Sequence, residues 1–232
     1  IAAKASVNAR TYDNSSPVSL AIERDNVEAL EVLVKSKADI TSECFGSADR
    51  TIPLLYAVNS RTTGAMEILL NGKADIDATT AGDVESTALC LAAREGKPAF
   101  VKMLLDAQAD INKQHPVRSA VMPGYGEDRA AVLRLLITAK ADIGKVYPDD
   151  GTTPAHLAAT QNRQVLLRIL FEAKADMNMA ANNGQTPAVA LAIAARTRSF
   201  PVQLFRTPQH DDTLWVDTPW VPQFPEFDLN YC

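Results

Sequence analysis

Three histidines and three cysteines are the residues of this chain best suited to metal or nucleophilic chemistry. His115, His156 and His210 lie 41 and 54 residues apart. No pair therefore falls at the helical spacing through which two imidazoles share a metal, and no cysteine stands close to any of them. Cys44, Cys90 and Cys232 form an odd, widely spaced set, which fits neither a disulfide framework nor a zinc site. A reducing, intracellular compartment is the simpler reading. His210-Asp211-Asp212 gathers nitrogen and oxygen donors, but neighbours on an extended chain point in different directions. Gly124-Tyr125-Gly126 lacks the third glycine and the preceding strand of a dinucleotide loop. No phosphate-binding Gly-Lys-Ser/Thr and no nucleophile-elbow serine occur. These patterns predict no catalytic residues, no cofactor and no metal. An enzyme reading requires a catalytic domain upstream, with this chain as its regulatory module.

The elements that would position any site repeat along the chain. Lys37-Ala38-Asp39-Ile40 returns as Lys73-Ala74-Asp75-Ile76, Gln108-Ala109-Asp110-Ile111, Lys140-Ala141-Asp142-Ile143 and Lys174-Ala175-Asp176-Met177, with a weaker copy at Lys4-Ala5-Ser6-Val7. Successive copies are 33, 36, 35, 32 and 34 residues apart. That period marks a solenoid, whose units bury their apolar faces by stacking on one another. A second landmark precedes the alanine of each of the five full copies by 21 positions: Pro17, Pro53, Ala88, Ala120 and Pro154. Insertions are accordingly expected outside this block, in surface loops.

One unit shows why. Asp149-Asp150-Gly151 is a turn signal, Thr153 stands where an N-cap is wanted, and Pro154 follows at the first helical position. His156 to Ala159 make a short helix of small residues. Gln161-Asn162-Arg163 is a polar turn, and Val165, Leu166, Ile169 and Leu170 give the apolar face of a second helix. Thr153-Pro154-Ala155-His156-Leu157-Ala158-Ala159 with the closing Ala-Asp-Met-Asn resembles an ankyrin repeat. The resemblance covers residues 1–198: a partial unit (1–8), units at about 9–44, 45–79, 80–112, 113–145 and 146–178, and a partial unit at 179–198. It implies an all-α solenoid of stacked helix-turn-helix units with projecting loops, followed by an extended tail at 199–232. It also implies that His156 bridges backbone groups within its own repeat.

Ankyrin units usually carry Gly before the Ala-Asp, where the second helix ends in a left-handed residue. Here Lys or Gln stands there, at a cost of about 1 kcal/mol per residue if that geometry is kept. Either the cap differs or stacking absorbs the cost. Lysine at this place resembles algal ankyrin proteins, which leaves an organellar, plastid location open beside the cytoplasm. The fourth unit departs most, since Pro123-Gly124-Tyr125-Gly126 should cut its first helix short. The chain opens at Ile1 partway through a unit, so upstream residues, including any targeting segment, are expected beyond it.

The resemblance implies partner contacts at the ends of the first helices: Glu23 and Arg24, Asn59 and Ser60, Arg94 and Glu95, Thr160 and Gln161. The loops Thr41–Thr51 and Asp77–Ser86 would be projecting tips. The formal charge of -5 and the mixed signs at these positions argue against nucleic acid. No apolar run approaches the roughly 18 residues that span a bilayer. The recurring lysines read as a ridge neutralised by the aspartates two residues on. The partners expected are other proteins, with this chain as scaffold, adaptor or peripheral subunit of a larger assembly, such as an organelle membrane complex.

Residues 199–232 change character. They hold five of the thirteen prolines and seven of the fourteen aromatics, with a net charge of -4 from Arg206 against Asp211, Asp212, Asp217, Glu226 and Asp228. Such a segment favours extended backbone and needs a surface for its rings. Two destinations are open: a cap on the last repeat, where Ile193 and Ala194 replace polar pairs, or an anchor in another protein through Trp215, Trp220, Phe224 and Phe227.

Overall fold

The computed structural model describes residues 6–12, 15–42, 52–79, 86–123 and 128–196, the last three as backbone only. The terminal Lys4-Ala5, most of the loops 41–51 and 77–86, and the whole tail fall outside the described residues, and with them His210, Trp215, Trp220, Phe224 and Phe227.

Eleven α-helices are present among the described residues, as five pairs and a last single helix. The pairs are α1 (Pro17–Glu23) with α2 (Val27–Lys35), α3 (Pro53–Val58) with α4 (Gly64–Asn71), and α5 (Ala88–Arg94) with α6 (Pro98–Asp106). They continue with α7 (Pro116–Val121) and α8 (Arg129–Thr138), then α9 (Pro154–Thr160) and α10 (Gln164–Glu172); α11 (Pro187–Arg196) stands last. First helices stack in the order α1, α3, α5, α7, α9, α11, while α2 packs on α4, α6 on α8 and α8 on α10. The core is correspondingly one strip that runs from unit to unit rather than a ball.

Local chemistry sets where the helices start. Pro17, Pro53, Pro116, Pro154 and Pro187 open first helices, at the position where a missing N–H costs nothing. Ser16 and Thr87 cap α1 and α5 by accepting from the backbone N–H groups of Ser19 (3.1 Å) and Cys90 (3.2 Å). The fifth residue of the first helix is Ala21, Ala57, Ala92, Ala120 or Ala158, all buried. A methyl there lets neighbouring first helices pack closely, while α11 carries Leu191 at the same place.

That alanine fixes the register of the fourth unit, and the sequence-based alignment needs correcting there. Ala120 occupies the fifth place of α7, not the first; the helix begins at Pro116, 25 residues before Ala141 instead of 21. Seven residues (122–128) separate α7 from α8, against three (161–163) between α9 and α10. The insertion thus lies inside the block, between the helices. α7 ends at Val121 with Pro123 just beyond it, but at six residues it is no shorter than α3, so the expected shortening of this first helix is not seen.

The recurring motif closes each second helix in one way. Lys37, Lys73, Gln108, Lys140 and Lys174 have φ between 61° and 68°, so the left-handed geometry is kept without glycine. In each case the next residue sends its N–H back to the fifth residue before it: Ala38 to Leu33 (3.0 Å), Ala74 to Leu69 (3.0 Å), Ala109 to Leu104 (3.0 Å), Ala141 to Leu136 (2.9 Å) and Ala175 to Leu170 (2.9 Å). This is a Schellman closure, in which the 6→1 bond satisfies an orphan carbonyl.

The aspartate then turns the chain outward. Asp39, Asp75, Asp110, Asp142 and Asp176 each accept from the backbone N–H two residues on, at 2.8–3.1 Å. In three places the residue at this turn reaches the next unit with its side chain: Asn8, two residues after Ser6, accepts from Asp39 N–H (2.8 Å), Asp77 from Asp110 N–H (2.9 Å) and Asn112 from Asp142 N–H (3.0 Å). The aspartates are engaged by backbone amides and not by the lysines. Among the described residues the ion pairs are Lys35–Glu31 and Arg94–Glu95, so the lysine row is not neutralised by direct pairing.

Lys73→Gly removes a left-handed side chain without touching a packed contact. We expect it to raise the unfolding free energy by up to about 1 kcal/mol, with the entropy glycine gains in the unfolded chain offsetting part of that. Urea titration of the two proteins checks this, and a loss of stability would show that the lysine stem is held by packing.

Candidate functional site

Residues three, six and seven places after the helix start share one face of a short helix. On the first helices this gives a strip in register. Counting the opening residue as first, each unit supplies a half-buried residue at the fourth place (Leu20, Tyr56, Leu91, Ser119, Leu157) and an exposed or half-exposed pair at the seventh and eighth. The structure brings Glu23 and Arg24, Asn59 and Ser60, Arg94 and Glu95, and Thr160 and Gln161 onto this strip.

Their side chains are not equally available. Glu23, Arg24 and Asn59 make no hydrogen bond or ion pair from their side chains among the described residues. Ser60 Oγ donates to the carbonyl of Ala57, and Thr160 Oγ1 donates to that of His156 at 3.0 Å. Arg94 and Glu95 pair with one another at 3.7 Å. Gln161 keeps its Oε1 buried without a partner. The apolar members Leu20, Tyr56, Leu91 and Leu157 were not read from the sequence. Their signal was available: the fourth place falls opposite the second and sixth, where core residues lie.

The fourth unit interrupts the strip. Ser119 replaces the apolar residue, and Met122 and Pro123, both exposed, replace the polar pair. Behind them Arg129 is 3% exposed. Its Nη2 donates to the carbonyl of Arg94 at 2.8 Å and its Nη1 to that of Met122. The cation thus sits at the carbonyl ends of α5 and α7, where the helix dipoles favour it, and pins the lengthened turn to the third unit. Lys97, one unit earlier, makes the corresponding reach with its Nζ to the carbonyl of Val58 at 2.6 Å. Burial pulls the Arg129 pKa down; Arg163 adds repulsion and Glu95 partly counters it.

The candidate chemical residues serve the scaffold. His156 Nδ1 accepts from Thr153 N–H at 3.1 Å. With that nitrogen accepting, Nε2 carries the proton and donates to the carbonyl of Gln185 at 3.1 Å. The imidazole therefore bridges two units, where the resemblance implied a bridge within one. Cys90 holds the same third helical place in α5. Its Sγ donates to the carbonyl of Gln114 at 2.9 Å, likewise in the following loop. Burial pushes the thiol pKa up and keeps it from acting as a nucleophile. Arg118, third in α7, lies over the ring of Tyr147 at 4.3 Å. One helical position in three consecutive units thus ties each helix to the next loop, by three different chemistries.

Tyr147 is 1% exposed and meets His115 edge-on, with ring centroids 5.3 Å apart. Gln114 and His115 are successive left-handed residues, at φ 54° and 61°. Burial holds the His115 pKa below its ordinary value, and Lys145 and Arg118 push it further down against Asp149. Desolvation raises the Tyr147 pKa. Asp39 and Asp150 are lowered, chiefly by hydrogen bonds from Ser42 and Thr152.

Residues 20–115 match three copies of the family described as Ankyrin repeats. No curated protein matches the chain. Among solved structures, the ankyrin repeat domain of Bcl-3, a member of the IkappaB protein family, is similar at 22% identity and a TM-score of 0.67, over 80% of this chain and 85% of that one. An ankyrin repeat domain from Acinetobacter baumannii AYE is similar at 24% identity and 0.64, over 75% and 88%. The human ASB11 ankyrin repeat domain is similar at 18% and 0.65, over 85% and 89%.

Two outcomes follow from the geometry. Arg129→Ala leaves the carbonyls of Arg94 and Met122 without a donor and should cost about 1–3 kcal/mol in urea unfolding; a change within about 0.5 kcal/mol would show that water replaces the guanidinium. For His115, the unfolded chain takes up its proton near pH 6.5 and the folded chain only at lower pH. Its contribution to stability is therefore full above about pH 6.5 and is lost as pH falls through that window. The carboxylates Asp39 and Asp150 act in the same direction but only near and below about pH 4. His115→Asn, which tolerates the left-handed backbone, should flatten the slope of stability against pH below about 6.5. An unchanged slope would remove His115 as its source.

Proposed function

We propose that this ankyrin-repeat solenoid is a non-catalytic protein-interaction module whose partner lies along the strip of first-helix ends. Ankyrin repeats as a class bind other proteins, and the feature that supports this reading here is the register of the strip. Glu23, Arg24, Asn59, Arg94, Glu95, Thr160 and Gln161 recur on one face, each pair beside a half-buried apolar residue. Such a face offers what a protein interface needs: apolar area that is only partly covered by its own chain, and flanking polar groups that fix orientation. Mixed charge suits a partner surface of both signs and gives no uniform field for phosphates.

The centre of the strip should matter most. Leu91 and Arg94 lie in the third unit, and truncating an anchor at the middle of an interface costs about 1–2 kcal/mol or more. The pair Leu91→Ala with Arg94→Ala should weaken partner binding at least about tenfold. Photo-crosslinking residues placed at Leu91 and Arg94, with Lys102 and Arg134 on the second helices as controls, locate the contact. Adducts confined to the second helices, with unchanged affinity in the Leu91/Arg94 variant, would overturn the assignment.

A further inference from the structure

Among the described residues the solenoid ends at α11. Elsewhere the second residue of the first helix is Val18, Leu54, Leu89, Val117 or Ala155, and the sixth is Ile22, Val58, Ala93, Val121 or Ala159, all buried. In α11 the same places hold Ala188, half-buried, and Ala192, exposed. The seventh place, polar in most units, is Ile193 at 47% exposure. Helix α11 packs on α9, and no second helix follows it among the described residues.

We infer that residues 199–232 of this chain fold back over that open face and form the terminal cap of the array, with Ala188, Ala192 and Ile193 as its floor. The occupant is identified by where the chain goes and what it carries. The helix is described as far as Arg196, close before the segment, so the segment starts beside the face and its local concentration there is on the order of millimolar, above that of most free partners. Its 34 residues can span about 110 Å when extended, far beyond the roughly 15 Å length of the helix. A face of alanine and isoleucine offers rings a place to bury and offers a backbone no hydrogen-bond partner. A segment with prolines at 201, 208, 219, 222 and 225 meets both conditions. Proline lacks the N–H, and polyproline-type backbone is satisfied by water on its outer side. The inference is independent of the partner strip, since it concerns the end of the stack.

Trp215 and Trp220 are the two tryptophans of the chain, so indole fluorescence reads the tail alone. In the monomer of this chain we expect blue-shifted emission and weak quenching by acrylamide. Ile193→Asp and Ala192→Asp should each shift emission to the red and raise the quenching constant several-fold, while the far-ultraviolet dichroism of the helices is retained. The control is Val32→Asp, in the open apolar trough of about 740 Å3 that Leu20, Ala29, Val32 and Leu33 line at the other end of the array; it should leave the fluorescence unchanged. The inference is overturned if the tryptophans of the monomer are as quenchable as in urea, which would reserve the tail for another protein. It is equally overturned if Val32→Asp frees them, or if their protection disappears on dilution together with a fall in mass, which would place the tail on a second copy.

Discussion

Burial between units is the constraint on which everything else rests. A helix pair of this size has one apolar side toward the unit before and one toward the unit after, and neither can be covered from within. Helix spacing is therefore set by what stands between first helices, and the fifth residue is alanine in five successive units for that reason. Gly72 shows the same pressure between second helices: a Cβ added there would stand 2.8 Å from Val34 Cγ1. Once the stacking distance is fixed, the caps, the left-handed closures and the Asx turns all have to deliver the chain to the next unit at that distance.

The left-handed lysines show how the array meets the demand. Glycine would take that backbone at no steric cost, and the first helices do close with residues that tolerate it: Asp25, Gly96 and Asn162. The second helices use Lys or Gln and keep the geometry, because the alanine that follows is held in the interface and the aspartate beyond it is held by amides, in three places through a bond from one unit to the next. A local preference opposed by contacts on both sides gives way.

Much of this was legible in the residues. Period, the first-position prolines, the Ala-Asp closure and the N-cap at Thr153 are patterns of local chemistry, and local chemistry is written in sequence. The helix-end pairs could be placed because they sit at fixed offsets from the prolines. The fourth unit was misread because Ala120 stood at the expected 21-residue interval by coincidence; the alanine at the fifth place and Pro116 together carry the true register. Arg129 could not be read at all, since its two carbonyl partners are defined by stacking and not by neighbours in the chain. The parallel between Cys90, Arg118 and His156 was hidden by their different side chains. What they share is reach, a property of geometry that residue type alone does not encode.

The insertion between α7 and α8 has a consequence for how the strip can be read by anything lying along it. Unlike loops that lengthen at the edge of a repeat, this one departs from Met122 and Pro123, within the strip of first-helix ends itself. It divides the strip into a longer segment on the first three units and a shorter one on the fifth, with the turn between them pinned to the third unit by the guanidinium of Arg129. A ligand long enough to touch both would behave as a two-armed one. Its hold would be set by the product of two modest affinities and the spacing between them, and a ligand of the wrong length would keep only one. Length would thus be discriminated as well as chemistry.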